Sequence, residues 1–177
     1  MSKQKSSSRE WLVAFIIAGL IAVIVRCFLF SPFTVSGQSM YPNFHGDEFI
    51  IVNQIVYKLH EPRYGEVVVF ETEENGKEKD LIKRVIGVAG DKIEIIDGQV
   101  YRNDQPLDEQ YINEPMLAKT MDPIDIEPGH IFVLGDNRNN SKDSRQIGAV
   151  SLDSVIGRAE VILFPFDSFG GVQTQTP

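Results

Sequence analysis

The sequence predicts a mainly β protein: an antiparallel-sheet domain with a small inserted segment, carried behind one N-terminal transmembrane helix. Three observations predict it. A long uncharged apolar run lies near the start of the chain. After it the chain breaks into short runs rich in Val, Ile, Phe and Tyr. Those runs are bounded by Gly, Pro, Asp or Asn, residues that end strands and make turns. Of the 177 residues, about one compact domain remains once the apolar run is set aside.

The apolar run comes first. Leu12 to Val25 reads LVAFIIAGLIAVIV, and extending it from Trp11 to Phe30 gives 20 residues. At about 1.5 Å per residue that length crosses a hydrocarbon core of roughly 30 Å. Arg26 interrupts near the distal end, where a long side chain can reach the interface, and Trp11 and Phe30 suit the two boundaries. Lys3, Lys5 and Arg9 precede the span. The positive-inside rule therefore keeps residues 1–10 cytoplasmic and sends residues 31–177 to the other side. A cleavable secretory signal is the competing reading, but RCFLFSPF follows the run and holds no A-x-A site of small residues. A core helix would carry a polar face, and this segment has none.

Beyond Ser31 the pattern turns strand-like. The runs are FIIVN (49–53), EVVVF (66–70), LIKRVIGV (81–88), KIEII (92–96), QVYRN (99–103), HIFVLG (130–135) and VIGRAEVILF (155–164). Asp97-Gly98, between KIEII and QVYRN, is a two-residue hairpin turn, so those two strands should pair. Residues 104–128 are acidic, proline-bearing and weakly periodic, which reads as an insertion or a long surface connection between core strands. The β-rich domain then spans residues 31–170. The polar tail 171–177 adds no second apolar span, so the anchor is single-pass.

Charge and composition narrow the function. Residues 1–30 carry Lys3, Lys5, Arg9 and Arg26 against Glu10, a balance of +3, which leaves −11 on the rest of a chain whose net charge is −8. An acidic body argues against nucleic acid, which needs a basic face. The one cysteine, Cys27, excludes an internal disulfide and lies in or at the bilayer, out of reach as a nucleophile. His45, His60 and His130 are far apart, so no metal site is expected.

Three segments hold more reactive residues than strands require. In Ser36-Gly37-Gln38-Ser39-Met40-Tyr41-Pro42, a few residues past the anchor, Gly37 frees the backbone before Ser39 and Pro42 stiffens the exit. A serine so placed can be exposed with free N–H groups beside it, although a serine in such a loop is more often an ordinary turn residue. In Leu81-Ile82-Lys83-Arg84-Val85, strand alternation puts Leu81, Lys83 and Val85 on one face. A lysine among apolar neighbours loses hydration, and its pKa falls from about 10.4, which makes a neutral amine available as a base; the bland alternative is a surface lysine whose stem alone is covered. The third segment is Gly135-Asp136-Asn137-Arg138-Asn139-Asn140-Ser141-Lys142-Asp143-Ser144-Arg145, a dense polar loop at a strand end in which Asp143 and Arg145 are close enough to pair. It lacks the spacing of a calcium loop. The residues alone also leave open a Ser39-His-Asp arrangement using His130 or His45, because triads assemble from any chain order.

Taken in order, these segments resemble the signature boxes of bacterial type I signal (leader) peptidase: an anchor, then GQSMYP, YGEVVVF (64–70), KRVIGVAGD, GDNRNNSKDSR and IGRAEVILFP. The likeness runs from about Phe28 to Pro165, and the single span and short insertion are similar to the Gram-positive members. The resemblance implies Ser39 as nucleophile and Lys83 as general base. It implies Ser141 as a residue that hydrogen-bonds the lysine, and Asp143 with Arg145 as a supporting salt bridge. Met40 corresponds to the residue beside the scissile site. The substrates implied are exported preproteins with small residues at the first and third positions before the cut. That preference calls for shallow apolar subsites, lined by strand residues near Met40 and Leu81. No metal or cofactor is implied.

Some positions depart from the pattern. Asn43 follows Pro42 where many members have Thr, Ala89 stands where many have Pro, and Gly37 stands where some carry a serine side chain in the oxyanion hole. The backbone N–H of Ser39 is then one expected oxyanion donor, and the second is unassigned. A Ser-Lys protease of the self-cleaving repressor type would carry a soluble DNA-binding front end where this chain has its apolar span. The rival of another class is a tethered β-rich binding module or a catalytically inactive paralogue, for which Ser39→Ala would change nothing.

Overall fold

The apolar runs become strands in two ways: 67–70, 82–87 and 131–134 bury both faces under further layers, while 49–53, 92–96, 99–102 and 155–164 bury mainly alternate positions. The computed structural model of the chain describes residues 7–28, 30–74 and 76–175. Helix α1 (Ser7–Phe28) leads into β1 (Phe30–Thr34) and, after a loop, β2 (Phe49–Asn53). A short helix α2 (Val56–Leu59) precedes the long hairpin of β3 (Val67–Glu74) and β4 (Lys77–Gly87). Then come β5 (Lys92–Ile96), β6 (Gln99–Arg102), β7 (Gln105–Pro106) and β8 (Met121–Asp125). The chain closes with β9 (His130–Leu134), α3 (Ser144–Ile147), β10 (Val150–Ser151), β11 (Val155–Phe164) and β12 (Gly170–Gly171).

Every pairing is antiparallel, and the strands form two sheets. The larger runs β1-β2-β11-β3-β4-β9-β10, with β12 beside β11; the smaller runs β7-β6-β5-β8. In β3, Val67 and Val69 enter one cluster with Val35, Met40, Phe44, Ile50 and Ile82. Val68 and Phe70 enter another with Val85, Ile131 and Val133. A strand covered on both faces reads as a continuous apolar run, as VVVF does. At the Asp97-Gly98 turn both residues have positive φ, 48° and 85°, as the tight hairpin turn requires.

Residues 104–128 supply β7 and β8 to the smaller sheet. They also put Tyr111, Met116 and Ile126 into its core beside Ile93, Ile95, Phe132 and Leu134. This cluster joins the smaller sheet to β9 of the larger one, so the polar loop that follows β9 starts from a fixed base.

The expected anchor coincides with α1 over most of its length. Among the described residues no helix is long and apolar enough to cross a membrane. Lys3 and Lys5 of the basic N-terminal stretch, Leu29 of the anchor and the last two residues of the polar tail lie outside the described residues.

Candidate active site

Ser39 sits in the turn that follows β1, and the polar loop after β9 holds it. Asn137, in the polar loop after β9, donates its backbone N–H to the Ser39 carbonyl at 3.0 Å and its side-chain amide to the Gln38 carbonyl at 3.0 Å. The approach is close: a Cβ added at Gly135 would lie 2.4 Å from the Ser39 carbonyl oxygen and 2.2 Å from Ser141 Oγ, so only glycine fits there. Among the described residues nothing accepts the Ser39 N–H.

Lys83 reaches this serine from β4. Its Nζ lies 2.7 Å from Ser39 Oγ and donates to the Ile82 carbonyl at 2.7 Å. The residue is 2% exposed. Burial pushes the amine down to about 8, against the opposing pull of Asp143 and Asp136, which favour the charged form. A neutral amine has one lone pair, and the Ser39 hydroxyl can donate to it at the observed distance. Chemically this is a hydroxyl in contact with an amine of which roughly a tenth is neutral at pH 7, far more than an ordinary lysine offers. Neither histidine of the alternative triad touches the serine: His45 lies against Glu48 and Tyr41, and His130 against the Pro128 carbonyl.

Asp143 is fully buried and caps α3. It accepts the Gly135 N–H at 3.0 Å and pairs with the Arg145 guanidinium at 2.8 Å. This fixes the loop between β9 and α3. Two expectations need correction. Ser141 makes no hydrogen bond to Lys83; its Oγ is buried without a partner among the described residues, pressed against Gly135. Met40 is 1% exposed and packs in the core with Phe44 and Ile50, outside the cleft beside Ser39, because its side chain turns inward where the turn meets the sheet.

That cleft has a volume of about 280 Å³. Phe33, Val35, Ile50, Leu81 and Ile82 give it apolar walls, and Ser36 to Ser39, Lys79 and Lys142 also line it. Leu81 therefore lines it as the sequence suggests. One edge of β4 is open here: the pairing with β9 begins only at Arg84, so residues 77–83 are bonded to β3 alone. A short apolar cleft beside a free strand edge suits the backbone of an extended peptide.

A second polar cluster lies behind the pair. Arg84, the neighbour of Lys83, points to the opposite face and is fully buried. Its guanidinium grips both carboxylate oxygens of Asp136 at 2.8 Å and donates to the carbonyls of Gly65 and Gln173. Asn43 donates to the same carboxylate at 2.8 Å. Arg138 pairs with Glu109 at 2.6 Å and sits beside Tyr111, whose ring also lies under Arg84. The sequence reading passed over Arg84, although an arginine between Ile82 and Ile86 on an apolar face is the pattern of a buried, paired charge. Nothing in the local sequence names Asp136 as its partner.

Known proteins resemble this chain over most of its length. A family model described as signal peptidase, peptidase S26, matches residues 8–164. The chain is 34% identical over 175 residues to Signal peptidase I S of Bacillus subtilis, covering 93% of each protein. It is 36% identical over 182 residues to Signal peptidase IB of Staphylococcus aureus, covering 93% of this chain and 94% of that one. Among solved structures, a crystal structure of a signal peptidase I from Enterococcus faecalis is 31% identical, with a TM-score of 0.48, and covers 56% of this chain and 97% of that one.

Proposed function

The chain belongs to the signal peptidase family, peptidase S26, and from that premise we propose that Ser39 is its nucleophile and Lys83 its general base. It is a serine endopeptidase that removes signal peptides from secretory preproteins. The observation that carries the assignment is the 2.7 Å contact between Ser39 Oγ and a buried Lys83 amine, at the end of an apolar cleft.

The steps follow from the chemistry of the pair. Neutral Lys83 takes the Ser39 proton as the oxygen attacks the scissile carbonyl. The Ser39 N–H faces the charge that develops on the carbonyl oxygen. The ammonium formed on Lys83 then gives its proton to the departing amine, leaving an acyl-enzyme on Ser39. Water attacks that ester, losing a proton to Lys83, which passes it to Ser39 Oγ as the ester bond breaks, so the cleaved signal peptide leaves and the pair is restored. Asp143 and Arg145 hold the loop whose Asn137 positions Ser39, and Leu81 lines the subsites. The preprotein lies extended along the open edge of β4, where shallow walls favour small residues.

A location is part of the same proposal. Residues 11–30 cross the bilayer once, residues 1–10 stay in the cytoplasm, and the peptidase domain of residues 31–170 works outside, with 104–128 as its insertion and 171–177 as its polar tail. The supports are the uncharged run from Leu12 to Val25, the helical course of Ser7–Phe28 and the basic residues before it.

The test is cleavage of a purified preprotein in detergent by the wild type, Ser39→Ala and Lys83→Ala, each checked for a native circular dichroism spectrum. Both variants are expected to lose cleavage by at least three orders of magnitude. A folded variant that still cuts at the wild-type rate sinks the assignment.

A further inference from the structure

Glu48 is a charged residue that is 1% exposed, directly before β2 and nine residues after Ser39. Among the described residues its carboxylate pairs with no lysine or arginine. It accepts backbone N–H groups instead: His45 on Oε1, Gly46 at 2.9 Å and Asp47 at 3.2 Å on Oε2. The His45 ring stands 3.4 Å from Oε1 and is largely exposed. Meanwhile the Glu48 carbonyl accepts the Val35 N–H at 2.8 Å, extending the β1–β2 ladder to within four residues of Ser39.

The turn gathered by this carboxylate touches the Ser39 loop. A Cβ placed on Gly46 would lie 2.5 Å from the Gly37 carbonyl oxygen, so the two backbones are in direct contact and only glycine permits it. Gly37 itself has φ 80°, and nothing lies within 4 Å of where a Cβ on it would stand, so that side of it is unrestrained. A loop made permissive by glycine needs its geometry imposed from outside. Burial alone would raise the Glu48 pKa, but the N–H groups of residues 45–47 outweigh it and hold the carboxyl below the ordinary range.

We infer that Glu48 is a positioning residue for the Ser39 loop: by gathering the N–H groups of residues 45–47 it presses Gly46 against Gly37, and so sets the peptide whose N–H meets the developing oxyanion. The inference rests on Ser39 being the nucleophile. It also accounts for an oxyanion loop without a serine side chain at position 37, since the loop is held from behind.

Two peptides of one sequence, ending in a small residue as an aldehyde or as the matching alcohol, separate this role from a merely structural one. The aldehyde adds the Ser39 hydroxyl across its carbonyl, with the serine oxygen bonding to carbon and the proton moving to the former carbonyl oxygen; the alcohol only occupies the cleft. The aldehyde's affinity advantage therefore reads the oxyanion geometry of the folded population. With the full chain in detergent, Glu48→Ala and Glu48→Gln are each expected to shrink that advantage at least tenfold. Their kcat should fall by a similar factor and KM should stay within twofold, with partial recovery in Glu48→Asp. Should Glu48→Ala fail to fold, Glu48→Gln, which keeps the side-chain shape, decides alone. An unchanged advantage, or equal weakening of both peptides, overturns the role of Glu48. Ser39→Ala distinguishes the premise: if the advantage survives in that variant, the nucleophile assignment fails and takes this inference with it.

Discussion

Lys83 connects burial to two opposite effects. Its amine is pushed down to about 8 from an ordinary value near 10.5 because the low-polarity surroundings disfavour the ammonium. For activity the neutral form is the working one, so cleavage should rise with pH up to about 8 and fall close to tenfold per unit below it. For stability the sign reverses. The unfolded lysine keeps its proton up to about 10.5, so between 8 and 10.5 the unfolded state binds more protons and stability rises with pH. Below 8 the folded state bears the whole penalty, about 3 kcal/mol from a shift of that size. Lys83→Met should therefore abolish cleavage yet raise the urea midpoint at pH 7, with a gain that shrinks toward pH 10. A midpoint lowered at pH 7 would mean that the amine bears no such penalty in the folded protein.

Strand β4 delivers two charged neighbours to opposite sides of the sheet, and the side away from Lys83 is held by the Arg84–Asp136 pair. Both members are buried, so losing one leaves a charge without a partner. Asp136→Asn is expected to destabilise the domain by about 3–5 kcal/mol in urea unfolding. Replacing both, as Arg84→Met with Asp136→Leu, should cost less than Asp136→Asn alone, because no orphaned charge remains. A single variant that unfolds at the wild-type midpoint would show that the pair is not under that constraint. This element was half legible in the sequence. LIKRVIG gave the strand and the placement of Lys83, and KIEII-DG-QVYRN gave a hairpin correct in register. The strands with little apolar content, β1 with its Pro32, β8 (MDPID) and the two-residue β10 and β12, carry no period to read. They exist because a neighbouring edge was available to pair with.

For the molecule as a whole, the proposed direction across the bilayer rests on the basic residues before the apolar run. Thiol labelling checks it. In a Cys27→Ser background, Leu117→Cys lies on an exposed side chain of the insertion. It should react with a membrane-impermeant maleimide added to intact cells, whereas a tag fused before Met1 should be reached only after permeabilisation. The reverse pattern would overturn the topology.

The order of apolar run, strand runs and turn residues was enough to specify a mainly β domain, the position of Ser39 just past the apolar segment and the apolar face carrying Lys83. These are local properties, carried by hydrophobic period and turn chemistry within a few residues. The contact between Ser39 and Lys83 was not among them, since it spans 44 positions and depends on how β1, β4 and the polar loop stack. Tertiary packing likewise turned Met40 inward, left Ser141 without a bond to Lys83, matched Arg84 with Asp136 and set the buried Glu48 carboxylate behind Gly37. Each of those outcomes depends on which backbone lies opposite, and that is fixed only when the sheets and loops close around a common core.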